Sequence, residues 1–235
     1  MATLTASKWG FIQGPQNASF TTARNATTGT ATANPTNATT AIEFRYQGRG
    51  TPLNSFRRCF FYFDTTNVTG APTSATINLE GNTIVSDTAG SILVRAIGAF
   101  GGDGSSDLAD ADFNNTAFHG DGYDFSGIYN SWTTSGTNNI SLNSTAMNHM
   151  QSSNHLLCCL MQYGNDYRGA SATSVGTVDN LAIDFSTTPT ITHNGTVTSA
   201  GGPENIEKYN TFKIDKVEKI NTIAFSSIEE INGIS

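Results

Sequence analysis

The chain has 235 residues, of which 13% are charged and 37% hydrophobic, with 23 glycines and a formal net charge of -7. That length accommodates one large all-β domain, or a domain with an appendage, and the sparse charge leaves a mostly neutral polar surface. The acidic balance excludes broad attraction to a nucleic-acid backbone, and no apolar run approaches the roughly 18 residues of a membrane span.

The opening "MATLTASKWGFIQG" lacks the basic start and apolar run of a secretory signal. Synthesis in the cytoplasm, without a signal peptide and without nucleic-acid or membrane partners, is therefore expected. Residues 15–40, "PQNASFTTARNATTGTATANPTNATT", hold few large apolar anchors, and composition alone permits disorder there. Residues 1–40 accordingly read as an extended N-terminal arm and first strands.

From 41 to 198 short β-rich runs alternate with Gly, Asn and Thr clusters. They are "AIEFRYQ", "FRRCFFYFD", "SATINLEG", "SILVRAIGAF", "NISLN", "HLLCCLMQY" and "NLAIDF". This pattern predicts an all-β sandwich or barrel with one or two short helices. In "RCFFYFD", Cys59, Phe61 and Phe63 share one face and Phe60 and Tyr62 the other, so both faces need cover, as in a central strand. "LNSTAMNHMQSSN" predicts a short helix capped by Asn143 or Ser144, with Ala146, Met147 and Met150 on one side. "SSDLADADFNN" predicts a further single turn. Cys59, Cys158 and Cys159 form no C-x-x-C pair, and adjacent strand residues point to opposite faces, so they read as reduced structural thiols.

The blocks "RRCFFYFDTTNVTGAPTSATINLEG" and "ISLNSTAMNHMQSSNHLLCCLMQYGNDY" resemble the jelly-roll domains related to carbohydrate-binding modules known as DNRLRE domains, over roughly residues 40–195. The resemblance implies a jelly-roll β-sandwich, and no ligand motif of that family carries over. Asn/Thr-rich domains with "INGIS"-type tails are also similar to virion proteins of marine tailed bacteriophages.

No nucleophile elbow, S-x-x-K or phosphate-cradling loop is present, and His119, His149, His155 and His193 are dispersed, so an enzyme is not expected. Asp103, Asp107, Asp110 and Asp112 in "GGDGSSDLADADF" offer oxygens to a calcium ion, or simply cap local amides in a solvated turn. Arg45, Arg49, Arg57 and Arg58 suit an anionic ligand, either an acidic polysaccharide or an acidic protein, or else serve as ordinary edge-strand charge. Trp9, Trp132, Tyr123 and Tyr129 are candidates for a sugar-stacking platform or for packing.

Residues 1–203 carry eight Lys or Arg and thirteen Asp or Glu, whereas 204–235 carry four Lys and six acids in a sixth of that length. "SAGGPEN" separates the two, which sets a third segment, 199–235. Laid out by elevens, the tail aligns Ile206, Val217 and Ile228, then Tyr209, Ile220 and Ile231, then Phe212, Ile223 and Ile234, with an Asn repeated between. An eleven-residue period suits a right-handed coiled coil, but Asn inside the apolar face argues against it. The reading preferred is one helical turn ("IEK", "VEK") followed by a short strand with Phe212/Ile214 and Ile223/Phe225 alternating, against a solvated helix as the other. Two copies and a shortened third cannot bury their own apolar stripe, so a partner surface is required.

The expectation is a non-enzymatic bacteriophage virion structural protein, a capsid decoration (cement or head fibre) or a tail or neck fibre, at the virion surface. Its partners would be sister subunits, most simply in a trimer, and other virion proteins such as capsid or fibre subunits. The alternative is a carbohydrate-binding module or host-recognition adhesin that binds a surface glycan.

Overall fold

The structure is a computed structural model that describes residues 1–84, 89–114 and 123–198, together with the backbone of residues 85–86, 219–220 and 223–224. It divides into two units, Met1–Val197 and Thr198–Ser235.

The first unit is an eleven-stranded antiparallel sheet. Its strands are β1 (Ala2–Thr5), β2 (Lys8–Gln13), β3 (Thr30–Ala33), β4 (Ala38–Gln47), β5 (Leu53–Asp64) and β6 (Ala75–Ser86). β7 (Ser91–Arg95), β8 (Gly136–Ser141), β9 (His155–Gln162), β10 (Thr177–Asp184) and β11 (Thr190–His193) complete it. Among the described residues the α-helices α1 (Phe20–Arg24) and α2 (Ser144–Ser152) accompany the strands. Every β-rich run named above forms a strand, and β1, β2, β3 and β11 are additional. Residues 15–40 are thus integrated into the sheet through α1, β3 and the start of β4.

Two long strands change partner along one edge and so fold the sheet over. β5 pairs β4 from Leu53 to Arg57 and β9 from Cys59 to Asp64, while β2 runs along its other edge. β6 pairs β11 from Ala75 to Asn78 and β10 from Gly81 onward, with β8 opposite. At the second switch a Cβ on Gly81 would lie 1.9 Å from the Thr133 carbonyl oxygen, so the close approach of that loop requires glycine. Bridges Ser91↔Tyr129, Val94↔Asp124 and Ser126↔Leu142 carry the hydrogen bonding from β7 back toward β8, which closes the curled sheet on itself.

Closure gives the sheet an inside. Ile42, Cys59, Phe61, Phe63, Ile77, Leu79, Leu93, Ile140, Leu156, Cys158, Leu160, Leu181 and Ile183 fill it, and Ala146 and Met150 of α2 join them. α2 is capped by Asn143, whose side chain accepts from the Ala146 amide at 3.0 Å. A second cluster covers the opposite face of β5, β9 and β7, where Phe60, Leu157, Cys159, Met161, Ile92 and Val94 meet Ala23 of α1, Phe100 and Phe113. β5 is therefore apolar on both faces, and Cys158 and Cys159 fall into different cores. All three cysteines are free and buried.

In the second unit, Lys219–Ile220 and Ile223–Ala224 pair as short antiparallel strands with Ile220 opposite Ile223. Lys219, placed in a helical turn by the sequence reading, is in a strand. Otherwise the assembly residues Ile206, Tyr209, Phe212, Ile214, Val217, Phe225, Ile228, Ile231 and Ile234 lie outside the described residues.

Candidate functional site

Strand register builds one polar row across five strands. Thr30 of β3 stands opposite Gln13 of β2, Gln13 opposite Arg57 of β5, Arg57 opposite Glu43 of β4, and Glu43 opposite Asn180 of β10. In the neighbouring row Arg45 stands between Ser55 and Val178. Side chains two apart along a strand share a face, so Glu43 and Arg45 sit together, and so do Ser55 and Arg57.

The row is internally bonded. Arg57 Nε donates to Gln13 Oε1 at 2.8 Å and its Nη1 to the Thr40 carbonyl at 2.8 Å, while Gln13 Nε2 donates to Ser55 Oγ at 2.7 Å. The Arg57 guanidinium lies 4.8 Å above the Phe11 ring. Arg45 Nε meets Glu43 Oε2 at 2.7 Å; the carboxylate is buried, at 4% exposure, and Arg45 is 44% exposed. Burial pulls the Arg57 pKa down, as does the Arg45 charge, and Glu43 acts against them.

This splits the four arginines of the sequence reading. Arg45 and Arg57 come together, and Arg49 is exposed in the turn after β4. Arg58 must be corrected: it is fully buried on the other face of β5, where its Nε and Nη2 meet both oxygens of Asp166, so it cannot reach an external anion. Adjacent strand residues point opposite ways, which is why Arg57 and Arg58 part.

The calcium reading is also corrected. Asp103 accepts from the Ser105 amide, Asp110 from the Ala31 amide, and Asp112 from the Phe100 and Ala109 amides, while Asp107 pairs with Lys8 at 3.3 Å. Among the described residues no group of three or more His, Cys, Asp or Glu is gathered to hold a metal ion. The carboxylates are engaged separately, Asp103 in an Asx turn, Asp110 and Asp112 by amides of other segments and Asp107 by the Lys8 ammonium.

Trp132 is buried in the inner core with Tyr129 packed edge-on at 6.2 Å, and Trp9 donates its indole N–H to the Pro35 carbonyl at 2.9 Å. The four aromatics form no shared platform. His149 and His155 do meet, with ring centroids 5.6 Å apart, and Tyr62 stacks on His155. A shallow groove of about 310 Å³ on the outside of β6, β8 and β11 is lined by Asn78, Glu80, Thr137, Thr190 and neighbouring threonines. Its polar groups bond one another: Asn78 donates to Thr190 and Thr192, and Thr137 to Glu80.

Sequence reasoning missed Gln13 and Glu43 as members of the row, and Phe11 beside it. Strand parity places Glu43 beside Arg45, but the opposition of Glu43 and Arg57 depends on the register set by the five-residue turn "GRGTP", which no local pattern specifies.

No protein-family model and no curated protein matches this sequence.

Proposed function

We propose that this is a non-enzymatic structural protein of a bacteriophage particle. A jelly-roll β-sandwich is displayed at the virion surface, as capsid decoration or as part of a tail or neck fibre. The eleven-residue repeats serve for oligomerisation or attachment. The observation that carries this reading is the division of the chain. Residues 1–197 form a unit with its own two apolar clusters, whereas the repeats fall entirely in the other unit. Three short repeats have an apolar stripe and too few neighbours to bury it, which makes sister tails the simplest cover and a trimer the simplest assembly. The partner changes of β5 and β6, which fold one hydrogen-bonded sheet into facing layers, support the jelly-roll description.

Truncation after Gly202 tests the reading. The full chain is expected to sediment as an oligomer and to bind particles, and the 1–202 fragment as a monomer that does not. An unchanged mass together with retained particle binding would remove the tail from assembly.

A further inference from the structure

We propose that Asp110 is a plug on the open edge of the sheet at β3, an autoinhibitory contact that keeps this edge from pairing with the β3 edge of a second copy of the chain. The proposal goes beyond the virion reading and does not depend on the tail.

Register identifies the open groups. Among the described residues β3 pairs with β2 alone. Asn34 continues the register opposite Trp9 and donates its amide to the Trp9 carbonyl at 2.7 Å. Hydrogen-bonded and non-hydrogen-bonded pairs alternate along an antiparallel ladder, so Thr30 and Thr32 also turn their amides toward β2, while Gly29, Ala31 and Ala33 turn theirs outward.

Asp110 takes two of these three outward amides. The Gly29 N–H donates to its carbonyl at 2.9 Å and the Ala31 N–H to its Oδ1 at 2.8 Å. Asp110 thus stands where the next strand of an extended sheet would stand, with one backbone and one side-chain acceptor. Past the strand, Pro35 has no N–H to offer, and its carbonyl accepts from Trp9 Nε1 at 2.9 Å. The edge is closed at both ends, and among the described residues only the Ala33 amide is left without an acceptor.

The plug is anchored from below. Phe113, at the end of the same turn, is fully buried in the outer core, and its ring fills the space that a Cβ on Gly14 would take. Its carbonyl accepts from Arg58, and Asp112 accepts from the Phe100 and Ala109 amides. Asp110 itself is exposed, so removing its carboxylate leaves no cavity.

The strand itself names the occupant. "GTATA" at 29–33 carries no charge, no proline and nothing larger than Thr, and Thr30, Thr32 and Ala33 are exposed. Charge and proline are the usual guards of an edge, and here they come from the neighbours Asp110 and Pro35 rather than from the strand. Two identical edges pair antiparallel about a two-fold axis, so a second copy fits the opened edge with no further partner.

The test uses the full chain, with mass read by light scattering over a wide concentration range and amide exchange read residue by residue. In the parent the Gly29 and Ala31 amides are expected to exchange at least about tenfold more slowly than the outward Ala33 amide. D110A is expected to rise at least about twofold above the parent's mass as concentration increases, whatever that mass is. D110N keeps an acceptor oxygen for Ala31 and should stay at the parent's mass. The double variant D110A/A33P should return to it, because proline at an outward edge position loses no bond to β2 and removes a pairing amide. A D110A mass equal to the parent's overturns the proposal, and so does equal exchange of Ala31 and Ala33 in the parent, a result that needs no variant to fold. Association that A33P leaves intact also overturns it and assigns the contact to another surface.

Discussion

Arg58 and Asp166, 108 residues apart, form a bidentate ion pair at 2.8 and 2.6 Å with both side chains fully buried. The same guanidinium donates to the carbonyls of Phe113 and Arg24 and lies 4.1 Å over the Phe113 ring. One side chain on β5 therefore pins α1, the turn at Asp110–Phe113 and the turn at Tyr163–Tyr167 onto the outer core. Desolvating two charges is costly, and the geometry offsets it only while both partners are present.

Asp166→Asn should accordingly cost about 3–5 kcal/mol, because Arg58 keeps its buried charge with no carboxylate opposite it. Arg58→Met combined with Asp166→Leu should cost less than the two single changes added together, since no charge is left behind. Urea unfolding of the parent, Asp166→Asn, Arg58→Met, Asp166→Leu and the double variant measures both. A cost near zero for Asp166→Asn would show that the pair does not hold these segments.

The three thiols should be silent in the folded protein. Burial raises the pKa of Cys59, Cys158 and Cys159 well above that of a free thiol, and the thiolate is the reactive form. Ellman's reagent at pH 8 is expected to titrate none of them in the native state and all three in guanidinium. The linkage has a sign: above about pH 8.5 the unfolded chain releases protons that the native chain retains, so stability falls as pH rises. Rapid labelling of a native thiol would mean that one core opens readily.

How much of this was legible follows from what each feature depends on. Strand parity is local, so the two-faced character of "RCFFYFD" and the separation of Cys158 from Cys159 could be read directly. The cap of α2 is equally local, and the sequence narrowed it to Asn143 or Ser144, of which Asn143 is the cap. Partner switching is not local. Nothing in "FRRCFFYFD" states that β4 gives way to β9 near Cys59, and that switch decides which residues share a row. The arginines show the effect: nearness in sequence grouped Arg57 with Arg58, and the pleat placed one on the polar row and the other in a core. β1, β3 and β11 are four-residue strands rich in Thr, whose pairing comes from the sheet edge they meet rather than from an apolar pattern of their own.

Acid should weaken the fold in two separate windows. Burial, then the nearby Arg95 charge, lowers the pKa of both His149 and His155, with Asp103 and Asp64 opposing at His155; burial also lowers His193. Between its native pKa and the ordinary value near 6.5, each imidazole binds more protons unfolded than folded, so stability falls as pH drops below about 6.5. Hydrogen bonds from Thr66, Ser105 and Ser186 lower Asp64, Asp103 and Asp184, and their contribution is lost only below about pH 4. The melting temperature is expected to decline between pH 7 and 5.5, and His149→Gln should flatten that decline. A flat profile in the parent would mean that the imidazoles titrate normally.

Asn143 does two jobs at once. Its Oδ1 caps α2 by accepting from the Ala146 amide at 3.0 Å, and its Nδ2 donates to the Asp124 carbonyl at 2.7 Å, in the irregular segment that closes the sheet between β7 and β8. Its backbone amide donates to the Phe125 carbonyl. Asn143→Asp keeps the cap and favours the helix N-terminus electrostatically, but brings a carboxylate against the Asp124 carbonyl. Asn143→Ala loses both bonds. Loss of a cap alone costs about 1 kcal/mol, and a second unmade bond at a part-buried carbonyl adds a comparable amount. The expected order of stability is parent, then Asn143→Asp, then Asn143→Ala, the last lower by about 2 kcal/mol. If Asn143→Asp matches the parent, the bond to Asp124 contributes nothing, and closure of the sheet there rests on its backbone bridges.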